Sequence, residues 1–350
     1  MSTIDLTKYG LTDRYETLMR QYPEYSVGRI VSQEKGFYRV ITSCGEQIAE
    51  ISGKYRYQIN TPSEYPAVGD FVMLNSIENS NRAVIHQILP RKSVFMRKNA
   101  GTNFTEQVVA ANIDTLFICM SLNNDFNLRR LERFLSIGWN SGAVPVIVLT
   151  KADLCNDVKS KQYEVELTAN GADVLITSSM GKDGYQKILP YLKEGVTTAM
   201  LGSSGVGKST LINLLLGKNH QETQEIRGDD KGRHTTTRRE LILLPSGGMI
   251  IDTPGIRELG MWDSASGLEK TFTDIEAIIN DCRYKDCTHT CEPGCAVLSA
   301  IQNGNLSAER WKSYQKLQSE NAFMEDAKDY FTQKEKKYKE IAKLNKSLRK

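Results

Sequence analysis

The stretch Gly202-Ser203-Ser204-Gly205-Val206-Gly207-Lys208-Ser209 is a complete G-x-x-x-x-G-K-[ST] pattern, and it restricts the fold of its surroundings more than any other feature of the chain. A loop of this kind works only between a strand and a helix. The apolar run 198–201 predicts the strand, and 209–215 predicts an amphipathic helix. Glycines at 202, 205 and 207 let successive backbone N–H groups curl around phosphate oxygens, and the helix adds the partial positive charge of its N-terminus. Gly202, Ser203, Ser204, Gly205, Val206 and Gly207 therefore read as a phosphate cradle. Lys208 reaches the outer phosphates, the Ser209 hydroxyl takes a coordination position on Mg²⁺ that accompanies the nucleotide, and Thr210 completes the contacts.

Asp252-Thr253-Pro254-Gly255 closes another buried-type strand, 249–251. A carboxylate there can hold a water of the Mg²⁺ shell, and the Gly255 N–H can meet a γ-phosphate. Between the two motifs lies Gly232-Arg233-His234-Thr235-Thr236-Thr237, in a charged, turn-rich stretch. A threonine that closes the metal shell only while the γ-phosphate is present is the basis of a switch loop. Thr236 is the candidate, although the residues alone do not separate it from Thr235 and Thr237. After Gly255 comes Ile256, which cannot orient water as the glutamine of Ras-like enzymes does. A low intrinsic rate follows, and the nearest imidazole able to polarise water is His234. Contact of His234 with RNA or solvent is the plainer alternative.

Thr150-Lys151-Ala152-Asp153 ends the apolar run 144–149 and matches the guanine-reading pattern N/T-K-x-D. Asp153 can accept hydrogen bonds from guanine N1–H and the exocyclic amine, a pair of donors adenine lacks. Lys151 can lie over the base plane, and Thr150 puts a short hydroxyl where an asparagine amide is commoner. Thr177-Ser178-Ser179 follows the strand 174–177 and places Ser178 for a contact to the base. Both elements precede the glycine-rich loop, whereas in a Ras-like chain they follow it. A circular permutation gives this order with the same sheet and site. Apolar runs at 113–120, 144–149, 174–177, 198–201, 241–244 and 249–251 predict a parallel sheet buried on both faces.

Ahead of this α/β part, β-rich runs at 26–31, 37–42, 47–51, 71–74 and 83–89 predict five short strands. An OB-like barrel fits them, with a small SH3-like barrel as rival. Charge does not choose its ligand, because residues 26–89 hold six Lys/Arg and six Asp/Glu. Basic Arg91, Lys92, Arg97 and Lys98 come just after. Tyr38, Tyr55, Tyr57 and Tyr65 can stack on bases or belong to the core. Residues 1–24 are polar with scattered apolar positions and show no chemistry. A net charge of +3 means that any nucleic-acid affinity comes from local patches. No run approaches the roughly 18 apolar residues of a membrane span, and residues 1–21 lack the apolar region of a signal peptide. A soluble, cytoplasmic monomer with no membrane partner is expected.

Four of the seven cysteines, Cys282, Cys287, Cys291 and Cys295, crowd around His289. Such donors suit a closed, four-coordinate structural zinc. Five donors for four positions leave one spare, and the spacing admits a Cys₄ site or several Cys₃His sites. Glu292-Pro293-Gly294 supplies the turn that returns Cys295. Residues 331–350 then carry eight Lys/Arg against two Glu, with Ile341, Leu344 and Leu348 on one helical stripe. That pattern suits a helix on RNA and equally a solvated helix packed by its stripe.

Barrel, permuted nucleotide domain and Cys/His tail, in that order, resemble the RsgA (YjeQ) family of circularly permuted bacterial GTPases over about residues 26–330. With the resemblance, the chain divides into an N-terminal extension at 1–24, an OB-fold barrel at 25–95, a circularly permuted P-loop GTPase domain at 96–262 and a helical zinc-binding domain with a basic tail at 263–350. The resemblance implies GTP hydrolysis stimulated by the small ribosomal subunit, a role in late maturation of that subunit with hydrolysis coupled to release, and a barrel that contacts ribosomal RNA. The family spacing C-x₄-C-x-H-x₅-C selects Cys282, Cys287, His289 and Cys295 for one structural Zn²⁺ and leaves Cys291 out. A histidine in the family's H-T-T context makes His234 the implied catalytic residue. The rivals are a nucleotide-gated RNA-binding module with little hydrolysis and an ATP-driven assembly factor.

Overall fold

In a computed structural model, which describes residues 3–34, 36–98, 106–169, 171–178, 184–217, 239–252 and 265–323, the first helix is α1 (Asp13–Met19). Five strands follow: β1 (Ser26–Gln33), β2 (Tyr38–Thr42), β3 (Gly45–Ile51), β4 (Phe71–Ser76) and β5 (Arg82–Ile88), with a short helix α2 (Gly53–Gln58) after β3. They pair in the order β1-β2-β3-β5-β4, and β4 closes on β1. The β3–β5 pair is parallel and the others are antiparallel, which makes a five-stranded Greek-key barrel of the OB type. Its inward residues Ile30, Val40, Ala49, Val72, Leu74 and Ile85 form a separate small core.

The chain then makes a two-stranded ribbon of β6 (Val94–Lys98) and β7 (Glu106–Ala111), which the sequence reading did not expect. A second set of elements follows: β8 (Thr115–Ser121), α3 (Leu128–Asn140), β9 (Val144–Thr150), α4 (Val158–Ala169), β10 (Asp173–Ile176), β11 (Thr197–Leu201), α5 (Lys208–Leu216), β12 (Arg239–Leu243) and β13 (Met249–Asp252). The sheet order is β10-β9-β8-β11-β13-β12, parallel except for β12 against β13. Alternate residues of the same strands feed two cores. Ile118, Ile147 and Leu201 pack with Leu131, Phe134 and Val165 of α3 and α4. Phe117, Val146, Val148 and Met200 pack with Leu211, Ile212 and Leu215 of α5. Helices on both faces explain why these strands read as unbroken apolar runs. Each fully buried Leu or Ile contributes about 1.5–3 kcal/mol.

The barrel and this sheet are joined directly. A bulge between Ile30 and Ser32 bends β1, and its end pairs with β12, Ser32 opposite Glu240 and Gln33 opposite Arg239. Arg29 fills the junction, only 1% exposed. It donates to the Thr197 hydroxyl at 2.8 Å, to the carbonyls of Gly69 and Asn112 at 3.3 and 3.4 Å, and to the Tyr9 carbonyl. Burial pushes its pKa down to about 10. The N-terminal segment joins this core too: Tyr15 is buried and donates to Asn112 Oδ1 at 2.8 Å.

Burial separates the tyrosines and the basic residues that the sequence left open. Tyr38 and Tyr55 are buried, which leaves Tyr57 and Tyr65 exposed. Arg91 forks onto buried Asp70 at 2.8 and 2.7 Å, and Lys92 pairs with Asp114, so these two cations tie the fold together.

Helices α6 (Ala265–Thr271), α7 (Thr273–Asn280), α8 (Ala296–Gln302) and α9 (308–323) make a last unit around Phe272, Ile275, Val297, Trp311, Tyr314 and Leu317. It docks on α3. A Cβ at Gly267 would lie 2.1 Å from the Ser136 carbonyl oxygen, so α6 reaches α3 only through glycine. Fully buried Glu132 accepts from Arg310 at 2.9 Å, from Ser313 at 2.6 Å and from Arg129, while Arg133 forks onto Glu320 at 2.7 and 2.8 Å. Among the described residues no helix is long and apolar enough to cross a membrane.

Candidate functional site

The carboxyl ends of β8, β9, β11 and β13 open on one edge of the sheet, where open α/β sheets hold ligands. The loop after β11 is shaped by its glycines. A Cβ at Gly202 would stand 2.5 Å from the Cys119 carbonyl oxygen, and Gly205 and Gly207 turn at φ of 74° and 108°. The chain enters α5 at Lys208, whose Nζ donates to the carbonyls of Gly202 and Ser203 at 2.6 and 2.7 Å. Burial draws the ammonium pKa below the ordinary lysine value, against the pull of Cys119, Asp252 and Asp125. Val206 is buried, Ser204 and Ser209 are exposed, and Thr210 is half-buried.

The segment after β9 braces that loop. The Thr150 hydroxyl donates to the Val206 carbonyl at 2.6 Å. Lys151, at φ 56°, donates from Nζ to the Gly205 carbonyl at 2.7 Å. Threonine in place of asparagine thus keeps a bracing contact between the two segments. The Ala152 N–H donates to the Thr177 carbonyl at 3.2 Å, and the Asp153 carboxylate, exposed to solvent, accepts from the Ser178 hydroxyl at 2.5 Å. Asp252 ends β13 close enough for its charge to act on Lys208. His234, Thr236 and Gly255 lie outside the described residues.

One group at this edge escaped the sequence reading. Asp125, between β8 and α3, accepts from the Ser203 hydroxyl and from Arg130 Nη1 at 2.6 Å. Burial works to raise its pKa, but the hydrogen bonds from Arg130 and Ser203 hold the carboxyl below its ordinary value. Its signal was a carboxylate just past the end of a buried strand, at the edge where ligands bind.

The Cys/His cluster gathers four donors. Ligand atoms of Cys282, Cys287, His289 and Cys295 all lie within 4.8 Å of one another. His289 Nδ1 stands 3.6 Å from the Cys282 sulfur and 3.5 Å from the Cys295 sulfur. Tetrahedral zinc with its usual bond lengths places such atoms about 3.5–3.8 Å apart, so the set fits. Cys291 is exposed and stands outside the group. The loop is shaped by His289 at φ 57° and by Glu292, whose carboxylate accepts from the amides of Thr288, Thr290 and Cys291 at 2.8, 3.0 and 3.1 Å. Cys295 also caps α8, its sulfur accepting from the Leu298 N–H at 3.5 Å.

Known proteins resemble this arrangement throughout. A family model described as RsgA GTPase matches residues 88–262. The small ribosomal subunit biogenesis GTPase RsgA 2 of Lactiplantibacillus plantarum is 49% identical over 92% of this chain and 90% of its own. The small ribosomal subunit biogenesis GTPase RsgA of Methanosarcina acetivorans is 44% identical over 93% of this chain and 88% of its own. Among solved structures, YjeQ from Thermotoga maritima is similar at a TM-score of 0.62 and 26% identity, covering 83% of this chain and 96% of the other. YloQ, a circularly permuted GTPase, gives 0.58 and 27% over 87% and 96%. Motif order, sheet order and these likenesses agree, and the chain belongs to the RsgA GTPase family of GTP hydrolases.

Proposed function

We propose that this chain is a cytoplasmic, monomeric GTPase that binds the small ribosomal subunit, assists its late maturation and couples GTP hydrolysis to its own release. The observation that carries the reading is the pair of bonds from Thr150 and Lys151 to the carbonyls of Val206 and Gly205. They join a guanine-reading segment and a phosphate loop into one site, although the two come in permuted order along the chain. The partner is the one named for the relatives, which are small ribosomal subunit biogenesis GTPases. A nucleotide-gated RNA-binding module with little hydrolysis is not favoured by that family.

Each residue then has a role. The amides of 202–207 and the α5 N-terminus surround the phosphates, and Lys208 meets the outer ones. Asp153, held by Ser178, accepts from guanine N1–H and its amine. Ser209 would ligate Mg²⁺, and Asp252 would hold one of its waters; the bound cation offsets phosphate charge. His234 polarises the attacking water where Ile256 cannot, and Thr236 and Gly255 respond to the γ-phosphate. Cys282, Cys287, His289 and Cys295 hold one structural Zn²⁺. The barrel, with Tyr57 and Tyr65 exposed, faces ribosomal RNA.

Competition for a fluorescent GDP analogue tests the nucleotide class. GTP and GDP should displace it, and ATP should fail at roughly hundredfold higher concentration. Equal displacement by ATP would overturn the guanine reading.

A further inference from the structure

The loop that follows β8 touches the 202–207 loop through a bond that neither the phosphate nor the guanine role uses. Asp125 Oδ2 accepts from the Ser203 hydroxyl, while Oδ1 accepts from Arg130 Nη1 at 2.6 Å. One carboxylate oxygen is thus committed to the glycine-rich loop and the other to the first turn of α3. The frame around Asp125 is itself fixed. Its N–H donates to Asn123 Oδ1 at 3.1 Å, and the Ser121 hydroxyl donates to the same oxygen at 2.8 Å. Asn127 caps α3 by accepting from the Arg130 N–H at 3.0 Å. Further along, α3 is clamped by buried Glu132 to Arg310 and Ser313.

Ser203 therefore carries two constraints. Its side chain is held by Asp125, and its carbonyl accepts from Lys208 Nζ at 2.7 Å. A loop whose amides must converge on phosphate loses conformational entropy on binding unless it is ordered beforehand. Ser203 is half-buried at the start of that loop, just before the exposed Ser204 and Gly205, so holding its side chain fixes the path of the exposed turn.

We propose that Asp125 is a positioning residue for the nucleotide phosphates: anchored by Arg130 on α3, it holds the Ser203 hydroxyl and keeps the 202–207 loop in its binding curl. It supports GTP and GDP affinity alike and leaves the chemical step alone. The inference rests on reading 202–209 as the phosphate site.

The test uses the full chain with Asp125→Ala, Asp125→Asn, Ser203→Ala, the double Asp125→Ala/Ser203→Ala variant, and Lys208→Ala. KM and kcat are measured in subunit-stimulated GTP turnover, GDP affinity by fluorescence titration, and folding by thermal unfolding without nucleotide. Asp125→Ala should raise KM and the GDP Kd on the order of tenfold and leave kcat within about twofold, as loss of uniform binding does. Ser203→Ala should do the same, and the double variant should be no worse than the worse single one, because both remove one bond. Asp125→Asn should recover most of the affinity, since its amide oxygen still accepts from Ser203. Unchanged affinity in Asp125→Ala, additive losses in the double variant, or a fall in kcat at constant KM would each overturn the role. Lys208→Ala keeps the two levels apart. If it binds GTP normally, the phosphate-site reading fails and takes the inference with it. If it loses GTP while Asp125→Ala binds as wild type, only the positioning role fails.

Discussion

Asp153 accepts a short bond from Ser178 and is exposed to solvent, where a base can reach its carboxylate. Asp153→Asn keeps size and shape but cannot accept from two donors with both oxygens. It should weaken GTP binding by about 2 kcal/mol, mid-range for hydrogen bonds to a charged partner, as read by titration calorimetry against wild type. His234→Ala belongs to the same scale. It should leave GTP affinity near wild type and cut subunit-stimulated turnover by about 10²–10⁴-fold, the usual contribution of a positioned acid–base group. A single-turnover assay on small subunits reads that loss directly. Residues such as Lys208 and Asp153 were legible in the sequence because their chemistry forces a fixed local pattern. Asp125 was not: its partners, Ser203 and Arg130, sit in two different elements, and no local spacing announces the meeting.

Among the elements, the 282–295 loop is the one whose proposed zinc matters most to its order. Helices α7 and α8 are short, and the segment between them is ordered by Glu292 and the four donors, with only Cys282, Cys287, Cys295 and the His289 ring reaching the apolar cluster around Trp311. Cys295→Ser should therefore lose the zinc and lower the melting temperature of this unit, whereas Cys291→Ser should keep one zinc per chain; elemental analysis of both purified variants decides. Here the family spacing had already separated Cys291 from the others, and the geometry gathers the same four. The parallel strands were equally legible, because burial on both faces leaves a continuous apolar run such as 144–149. The β6–β7 ribbon was not. Phe95 and Val109 pack in one core and Val108 and Ala111 in another, but Arg97, Lys98 and Glu106 interrupt the apolar pattern in the sequence.

Across the whole molecule the three parts are tied by groups that are far apart in sequence and so invisible to any local reading. Arg29 bridges barrel, N-terminal segment and sheet. Glu132 and Arg310, 178 residues apart, join α3 to the C-terminal helices. Arg310→Met would leave buried Glu132 with Arg129 and Ser313 still bonded to it, so the loss should fall at the low end of the about 3–5 kcal/mol for breaking a buried pair. Urea unfolding of the zinc-loaded chain should show a loss in that range, with zinc content unchanged. The permuted order makes this connection matter, since the chain runs from Asp252 toward the C-terminal helices. The proposed coupling of nucleotide state to subunit release rests on that continuity. The most direct measurement is multiple-turnover GTP hydrolysis by the zinc-loaded full chain, with excess GTP, alone and with added small or large ribosomal subunits. A slow basal rate is predicted, because Ile256 cannot orient water, and small subunits alone should raise it by at least about 10²-fold. Equal rates in all three conditions, or stimulation by large subunits instead, would contradict the account.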